Sequence, residues 1–173
     1  MAHPLQPLML ASMAAAMALA SVSGAVAAPP RAFDVKGFTQ GMHKRDAKAV
    51  AERQGYELHD AGSGTIISKG GQADRALFCG DELVSYAYAK RGGFMQFLRE
   101  IKAFEGQGYR RTNLDLGTRM TPAGKESGYL TIYVFRPQDP YYVTVTLWGN
   151  EDNDTDNLAL QYEALDKSSK CQK

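Results

Sequence analysis

The chain has 173 residues, of which 44% are hydrophobic and 10% aromatic, so it contains enough apolar material to form a folded core. Its 20 lysines and arginines nearly balance its 19 aspartates and glutamates, which leaves a formal net charge of +1. This balance argues against nucleic acid or an anionic membrane surface as a partner, because binding to either relies on an excess of cationic side chains.

The N-terminal segment predicts export. The first thirty residues carry no Lys, Asp, Glu or Arg, and they contain the apolar stretch LMLASMAAAMALASV at 8–22 and the small-residue pattern AVA at 25–27. This combination is typical of a secretory signal peptide. We therefore expect a signal peptide at 1–27 and a single exported domain at 28–173, soluble and periplasmic or secreted. The alternative is a membrane anchor, for which the apolar stretch is short, since a bilayer takes about 20 residues.

The two cysteines of the chain are Cys79 and Cys171. An even number of cysteines in an oxidising compartment favours a disulfide. The enclosed loop spans 171 − 79 = 92 residues, and closing such a loop stabilises a fold by about 4–5 kcal/mol in the chain-entropy model. The alternative is a catalytic thiol at Cys79 with His43 or His59 as its base, but that chemistry needs a reduced thiolate.

The first half of the mature chain reads as one helix followed by four strands. Residues 28–37 are expected to form an extended leader, and the spacing of apolar residues predicts an amphipathic helix at 41–53, closed by Gly55. A Gly-Asp hairpin turn joins the last two of four predicted strands. These strands are at 56–60, 65–69, 73–79 and 82–90.

The second half repeats this order. A helix is predicted from its apolar residues at helical spacing, which are Phe94, Phe97, Leu98, Ile101 and Phe104. Four more strands are predicted at 109–116, 129–136, 141–148 and 158–165. The order α-β-β-β-β-α-β-β-β-β predicts an α+β fold with an antiparallel sheet and two helices packed on one face. It also suggests duplicated half-repeats at 38–90 and 91–165.

One segment carries a resemblance to a known family. The run GFTQGMHKRDAKAVAERQGY at 37–56 resembles the opening of SmpA/OmlA-type outer-membrane assembly lipoprotein domains, in which Gly-Met precedes a helix that ends in glycine and leads into strands. Two such units in tandem are similar to the fold of the secreted β-lactamase inhibitor protein. The chain departs from the family at His43, which replaces a threonine, and it lacks the lipid-bearing cysteine. The resemblance implies binding or assembly rather than catalysis.

The run EDNDTDNLALQYE at 151–163 matches part of a calcium-binding loop. Acidic residues occupy loop positions 1, 3, 5 and 12, namely Asp152, Asp154, Asp156 and Glu163. However, Asn157 replaces the turn glycine, and the flanking segments alternate like strands, whereas an EF-hand needs helices. The sequence therefore favours a solvated acidic hairpin loop without calcium. The two histidines of the mature chain lack a zinc-ligand spacing, and we expect no metal or cofactor.

Two neighbouring strands, 129–136 and 141–148, each alternate between aliphatic and aromatic or threonine residues. The aliphatic residues are expected to lie under the helices, which leaves the aromatic residues on the opposite face. Four of these are candidates for a partner-binding surface: Tyr133, Phe135, Tyr142 and Trp148. The alternative is that aromatic residues alternating with threonine simply suit a pleated sheet.

The expected function follows from these features. No G-x-S-x-G nucleophile motif occurs in the mature chain, and its GSGT segment lacks the lysine of a phosphate-binding loop. We therefore expect a non-enzymatic binding protein of the cell envelope with a protein partner, in its sharpest form an inhibitor or immunity-type protein that blocks a hydrolase. The alternatives are an envelope assembly or accessory factor and a small secreted hydrolase. The sequence does not indicate an oligomeric state.

Overall fold

A computed structural model describes residues 30–61, 64–120, 126–150, 153–166 and 171. The predicted signal peptide lies outside these ranges. The elements of the described chain are β1 (Asp34–Val35), β2 (Phe38–Thr39), α1 (Lys44–Gln54), β3 (Glu57–Ala61), β4 (Gly64–Lys69), β5 (Gln72–Cys79), β6 (Glu82–Arg91), α2 (Phe94–Gly106), β7 (Arg110–Met120), β8 (Glu126–Phe135), β9 (Tyr141–Asn150) and β10 (Asn153–Ala164).

Eight of the strands form one antiparallel sheet in the order β3-β4-β5-β6-β10-β9-β8-β7. The buried residues of both helices join those of the sheet in a single core cluster, so both helices cover the same side, which we call the helix face. The opposite side of the sheet is the far face. The predicted α+β fold with an antiparallel sheet is confirmed.

The two halves of the chain have the same element order, a helix followed by a four-stranded meander. Within each half, neighbouring strands are consecutive in the sequence. The halves meet where the last strand of each, β6 and β10, pair antiparallel with each other. The halves therefore form one continuous sheet, while their origin by duplication stays a prediction.

Helix α1 ends at Gln54, next to the predicted Gly55, but it begins at Lys44, three residues after the predicted start at 41. Its buried side is formed by Ala47, Val50 and Ala51, and it stops at Gly55, whose φ of 71° is the left-handed conformation that glycine adopts without strain. Its first turn is held by Asp81, from the turn between β5 and β6, whose carboxylate accepts a hydrogen bond from the Lys44 backbone N–H at 3.2 Å. A negative charge at this end of a helix is stabilising.

Helix α2 departs from the predicted apolar stripe at one position. Phe97, Ile101 and Phe104 are buried against the sheet, whereas Phe94 is 52% exposed. Phe94 is the first residue of the helix, and its ring stacks on that of Phe97 at a centroid distance of 6.2 Å. The prediction that Phe94 belongs to the core was wrong, since it contacts Phe97 but leaves about half of its surface exposed.

The N-terminal segment also differs from its prediction. Residues 34–39 form the hairpin β1–β2 rather than an extended leader. Phe33 and Phe38, beside and within this hairpin, are fully buried on the helix face. The Phe38 ring stacks on Tyr86 of the first half at 5.0 Å, and the Phe33 ring meets Tyr141 of the second half edge-on at 5.6 Å. The hairpin therefore bridges the two halves. The sequence did not predict it, because strands of two residues each are too short to show a periodic pattern.

Cys79 and Cys171 form a disulfide, with their Cα atoms 4.6 Å apart. Cys79 ends β5 and packs with Val84 and Ala164 in a small buried cluster. The bond therefore ties the C-terminal tail to the first half of the sheet, as the sequence predicts. Among the described residues, no helix combines the length and the apolar composition that crossing a membrane requires.

We expect the double variant Cys79→Ser/Cys171→Ser to lose about 4 kcal/mol of unfolding free energy, because its unfolded chain is no longer restricted by a long closed loop. Denaturant titration of the oxidised wild type and the variant measures this loss, and reduced wild type is the matched control. A loss below about 1 kcal/mol would contradict the loop-closure account. Two labelled thiols in unreduced, denatured protein would contradict the bond itself.

Candidate interaction surface

Strands β8 and β9 determine which side chains the second half presents on each face. They pair antiparallel across the turn at 136–140, so that Phe135 lies opposite Tyr142 and Tyr129 lies opposite Trp148. Val134, Val143 and Val145 are buried in the core under α2. The alternating residues of both strands therefore lie on the far face, and they are Tyr129, Thr131, Tyr133, Phe135, Tyr142, Thr144, Thr146 and Trp148.

The four predicted surface residues share the far face but fall into two groups. Tyr133 and Tyr142 are in ring contact at a centroid distance of 6.1 Å, and Phe135 is the cross-strand neighbour of Tyr142. Trp148 lies at the other end of the strand pair, opposite Tyr129. Between the groups, the hydroxyls of two paired threonines, Thr131 and Thr146, are hydrogen-bonded at 2.9 Å.

Edge strand β7 adds charged residues that the sequence reasoning missed. The Arg119 guanidinium lies over the Trp148 ring, 4.9 Å from its centroid, a cation–π contact. The Tyr129 hydroxyl donates a hydrogen bond to the Asp115 carboxylate at 3.3 Å, and this negative charge raises the pKa of Tyr129. The alternation of side chains along β7 is the sequence signal for Arg119 and Asp115. It identifies their neighbours only when the pairing of β7 with β8 is known.

No described helix or strand covers the far face, since α1, α2 and the β1–β2 hairpin all contribute to the core on the helix face. The four predicted surface residues are each half-buried, which reflects packing against their neighbours within the sheet. Further along this face, the small side chains of β6 leave a shallow cavity of about 210 Å³. It is lined by Arg75, Leu77, Ser85, Ala87 and Gln161.

The acidic run does not form the predicted long hairpin loop. Strand β9 extends to Asn150 and β10 begins at Asn153, so Asp154 and Asp156 lie within β10, while Asp152 lies outside the described residues. The prediction of a long loop was wrong because the strand pairing continues through the polar residues. No group of three or more His, Cys, Asp or Glu side chains that could hold a metal ion occurs in the described part of the chain.

Glu163, the fourth candidate ligand, belongs to the far face. It lies in β10 between Ser85 and Tyr142 on the neighbouring strands. Its carboxylate accepts a hydrogen bond from the Gln161 amide at 2.6 Å. Burial, together with a hydrogen bond to Glu163, raises the pKa of Tyr142. Glu163 therefore sits beside the aromatic group formed by Tyr133, Phe135 and Tyr142.

On the helix face, a polar network anchors the turn between β8 and β9. Buried Asp139 accepts two hydrogen bonds from the Arg136 guanidinium, both at 2.9 Å, and one from the Tyr109 hydroxyl at 3.0 Å. Tyr109 is also hydrogen-bonded to Tyr141. Burial alone would raise the pKa of Asp139, but the hydrogen bonds from Arg136, Tyr109 and the Arg31 backbone outweigh it and lower that pKa.

In comparisons with known proteins, no family model, no curated protein and no solved structure matches the chain. The resemblance to SmpA/OmlA-type domains and to the β-lactamase inhibitor protein fold therefore stays a prediction.

The lowered pKa of Asp139 gives its ion pair a defined pH dependence. We expect Asp139→Asn to cost about 3 kcal/mol of unfolding free energy at pH 7, because it leaves a largely buried arginine without its charged partner. The carboxylate contributes stability above its unfolded pKa of about 3.9 and loses that contribution as the pH falls towards its folded value. The difference between wild type and variant should therefore shrink below about pH 4.

Denaturant titrations between pH 7 and pH 3 measure this difference, with the exposed Asp115→Asn as the matched control. A constant difference across that range would contradict the assignment of the lowered pKa to Asp139. A cost as small as that of the control would contradict the role of the ion pair.

Trp148 is the single tryptophan of the chain and reports on the far face directly. Because the Arg119 guanidinium lies over its ring, we expect iodide to quench its fluorescence more strongly than caesium. Arg119→Glu should reverse this preference, with a change of roughly twofold at low ionic strength. Arg111→Glu is the control, since Arg111 pairs with Glu105 at 2.6 Å on the helix face. A blue-shifted emission that neither ion quenches would show that the face is covered.

Proposed function

We propose that this protein is an exported, non-enzymatic binding protein of the cell envelope that holds a protein partner on the far face of its sheet. The observation that supports this proposal is a sheet with one face under two helices and one face without a second layer of described elements. The aromatic residues of β8 and β9 occupy the second face. Tyrosine and tryptophan are enriched among the residues that contribute most to protein–protein binding.

The chemistry of the far face suits a protein surface. Its aromatic residues alternate with threonines, and the charged residues Arg119, Asp115 and Glu163 lie around them. The cavity beside Ala87 gives a partner side chain a place to enter next to the aromatic group. Rings flanked by hydrogen-bonding groups resemble the apolar centre and polar rim of protein interfaces.

The sharper form of the proposal is an inhibitor or immunity-type protein that blocks a hydrolase by covering its active site. An envelope assembly or accessory factor would use the same face. A glycoside-hydrolase site on the far face is less well supported, because paired catalytic carboxylates lie about 5–10 Å apart. The far-face carboxylates Asp115 and Glu163 belong to β7 and β10, three strand spacings or about 14 Å apart.

We expect immobilised mature protein to retain a specific partner from envelope extract, and Trp148→Ala or Tyr142→Ala to weaken its binding. Removing a central aromatic residue of an interface costs about 2 kcal/mol or more, which corresponds to roughly a 30-fold higher Kd. The matched control is Leu116→Ala, because Leu116 is 74% exposed and lies on the helix face, opposite Leu130.

Thermal unfolding of each variant separates lost binding from lost folding, and titration with the purified partner gives the Kd. Equal retention by wild type, Trp148→Ala and Tyr142→Ala would contradict the proposal. If the captured partner is a hydrolase whose activity the wild type lowers and Trp148→Ala does not, the inhibitor form is supported. A captured partner without hydrolase activity would favour the assembly role.

A further inference from the structure

The helix face contains a cavity of about 250 Å³ between α2 and the sheet. It is separate from the far face, since the sheet lies between them. Its walls are formed by α2, by β1 and by residues in or next to β6, β7, β9 and β10. The lining residues are Asp34, Tyr88, Glu100, Ala103, Phe104, Gln107, Tyr109, Tyr141, Leu160 and Tyr162.

Five of the ten lining residues are aromatic, and four of these rings contact one another in a closed cycle. Phe104 meets Tyr109 at 5.3 Å and Tyr162 at 6.3 Å between ring centroids. The Tyr141 ring contacts both tyrosines, with centroid distances of 6.3 Å to Tyr109 and 6.1 Å to Tyr162. Tyr88 is the fifth ring of the wall. Such contacts hold each ring in place, so that ring faces and edges surround a common space.

The charged residues that line the cavity are both acidic, and one of them, Glu100, forms a salt bridge with Lys90 at 2.6 Å. Asp34 and Glu100 line it, and no lysine or arginine is among the lining residues. The Glu100 side chain is only 19% exposed, and it accepts hydrogen bonds from Lys90 and Gln96, both at 2.6 Å and both to Oε1. Its second oxygen, Oε2, therefore has no hydrogen-bond partner among the described residues and can accept from a ligand.

The protein already places an ammonium group on one of these rings. The Lys36 Nζ lies over the Tyr88 ring, 4.9 Å from its centroid, while it pairs with buried Asp74 at 2.6 Å. An aromatic face attracts a cation through its quadrupole, and the attraction grows when water is excluded. Because Lys36 already occupies one face of Tyr88, a ligand cation would use the other rings, near Asp34 and the free oxygen of the Lys90-paired Glu100.

We propose that this cavity binds a small organic cation, an amine or quaternary ammonium compound, with its charged group among the tyrosine rings and near Glu100 Oε2. The Tyr109 hydroxyl already donates to Asp139, so the tyrosines contribute their rings, rather than their hydroxyl protons, to the binding of the ligand. An anion would meet two carboxylates, and a peptide is too large for a cavity of about 250 Å³.

The test uses choline, ethanolamine and putrescine as probes, with 3,3-dimethylbutan-1-ol as the neutral, nearly isosteric control for choline. Titrations followed by NMR of the tyrosine ring protons report binding and its location. We expect saturable shifts at Tyr88 and Tyr162 with at least one cation. We also expect the neutral control to bind roughly tenfold more weakly than choline if choline binds.

Two variants test the residues named. Glu100→Gln keeps the size of the side chain, and it should raise the Kd of the bound cation at least roughly fivefold by removing a charge next to it. Glu105→Gln is the matched control on the same helix, since Glu105 pairs with Arg111 outside the cavity. Tyr162→Leu removes one ring and should weaken binding without altering the charge of the site.

Failure of all three cations to give a saturable shift in wild-type protein would overturn the proposal. Binding of the neutral control as tight as that of choline would also overturn it, and neither result depends on a variant that has to fold. Equal effects of Glu100→Gln and Glu105→Gln would contradict the role of Glu100. Since Trp148→Ala leaves the helix face unchanged, it should not affect cation binding, so this proposal and the proposed function fail independently.

Discussion

The pairing of β6 with β10 is the contact on which the rest of this fold depends. It runs over seven residue pairs, from Ser85–Glu163 to Arg91–Asn157. Every other neighbouring pair in the eight-stranded sheet joins strands that are consecutive in the chain. Without this one non-local pairing, the protein would consist of two separate helix-plus-meander units, each with an unpaired strand edge open to solvent.

The cavity on the helix face and the shallow cavity on the far face are both assembled across this same junction. On the helix face, Tyr88 of β6 lies opposite Leu160 of β10. Both residues line the cavity between α2 and the sheet, which we call the tyrosine cavity. On the far face, Ala87 lies opposite Gln161, and both line the shallow cavity beside the aromatic group. Neither half alone could form either cavity, whereas the aromatic residues of the far face all belong to the second half.

Two further contacts hold the halves together, one on the helix face and one at the end of β5. The β1–β2 hairpin places Phe38 on Tyr86 and Phe33 on Tyr141, so aromatic packing crosses the junction above the sheet. The disulfide joins Cys79 of the first half to the tail that follows β10. Each contact restricts the relative motion of the halves, and together they keep the walls of both cavities in register.

The local sequence pattern was enough to predict those structural features that depend on residues close together in the chain. The apolar spacing of α1, its end at Gly55 and the alternation of β8 and β9 each involve residues a few positions apart, and the structure has all three. Phe33 and Phe38 escaped prediction because their burial depends on Tyr141 and Tyr86, which are distant in sequence.

The tyrosine cavity was hidden for the same reason. Tyr88, Tyr109, Tyr141 and Tyr162 come from four separate segments, and no spacing in the sequence relates them. Arg119 was missed as a neighbour of Trp148 because it lies on β7, and its position becomes visible only from the pairing of β7 with β8 and of β8 with β9. Cross-strand pairing places these residues together, and a local pattern cannot show which strands pair.

The strand order also has a consequence for how the chain is completed. Strand β10 is synthesised after the seven other strands of the described sheet, yet it lies in the middle of that sheet. Until residues 157–163 emerge, β6 and β9 each present a row of unpaired backbone N–H and C=O groups, the kind of edge through which chains aggregate. A chain that ends shortly before this point would contain two separate antiparallel meanders, each with one unpaired edge strand. Strand β10 therefore closes the sheet, and a chain truncated before it would lose the connection between its two halves, far more than the number of missing residues suggests.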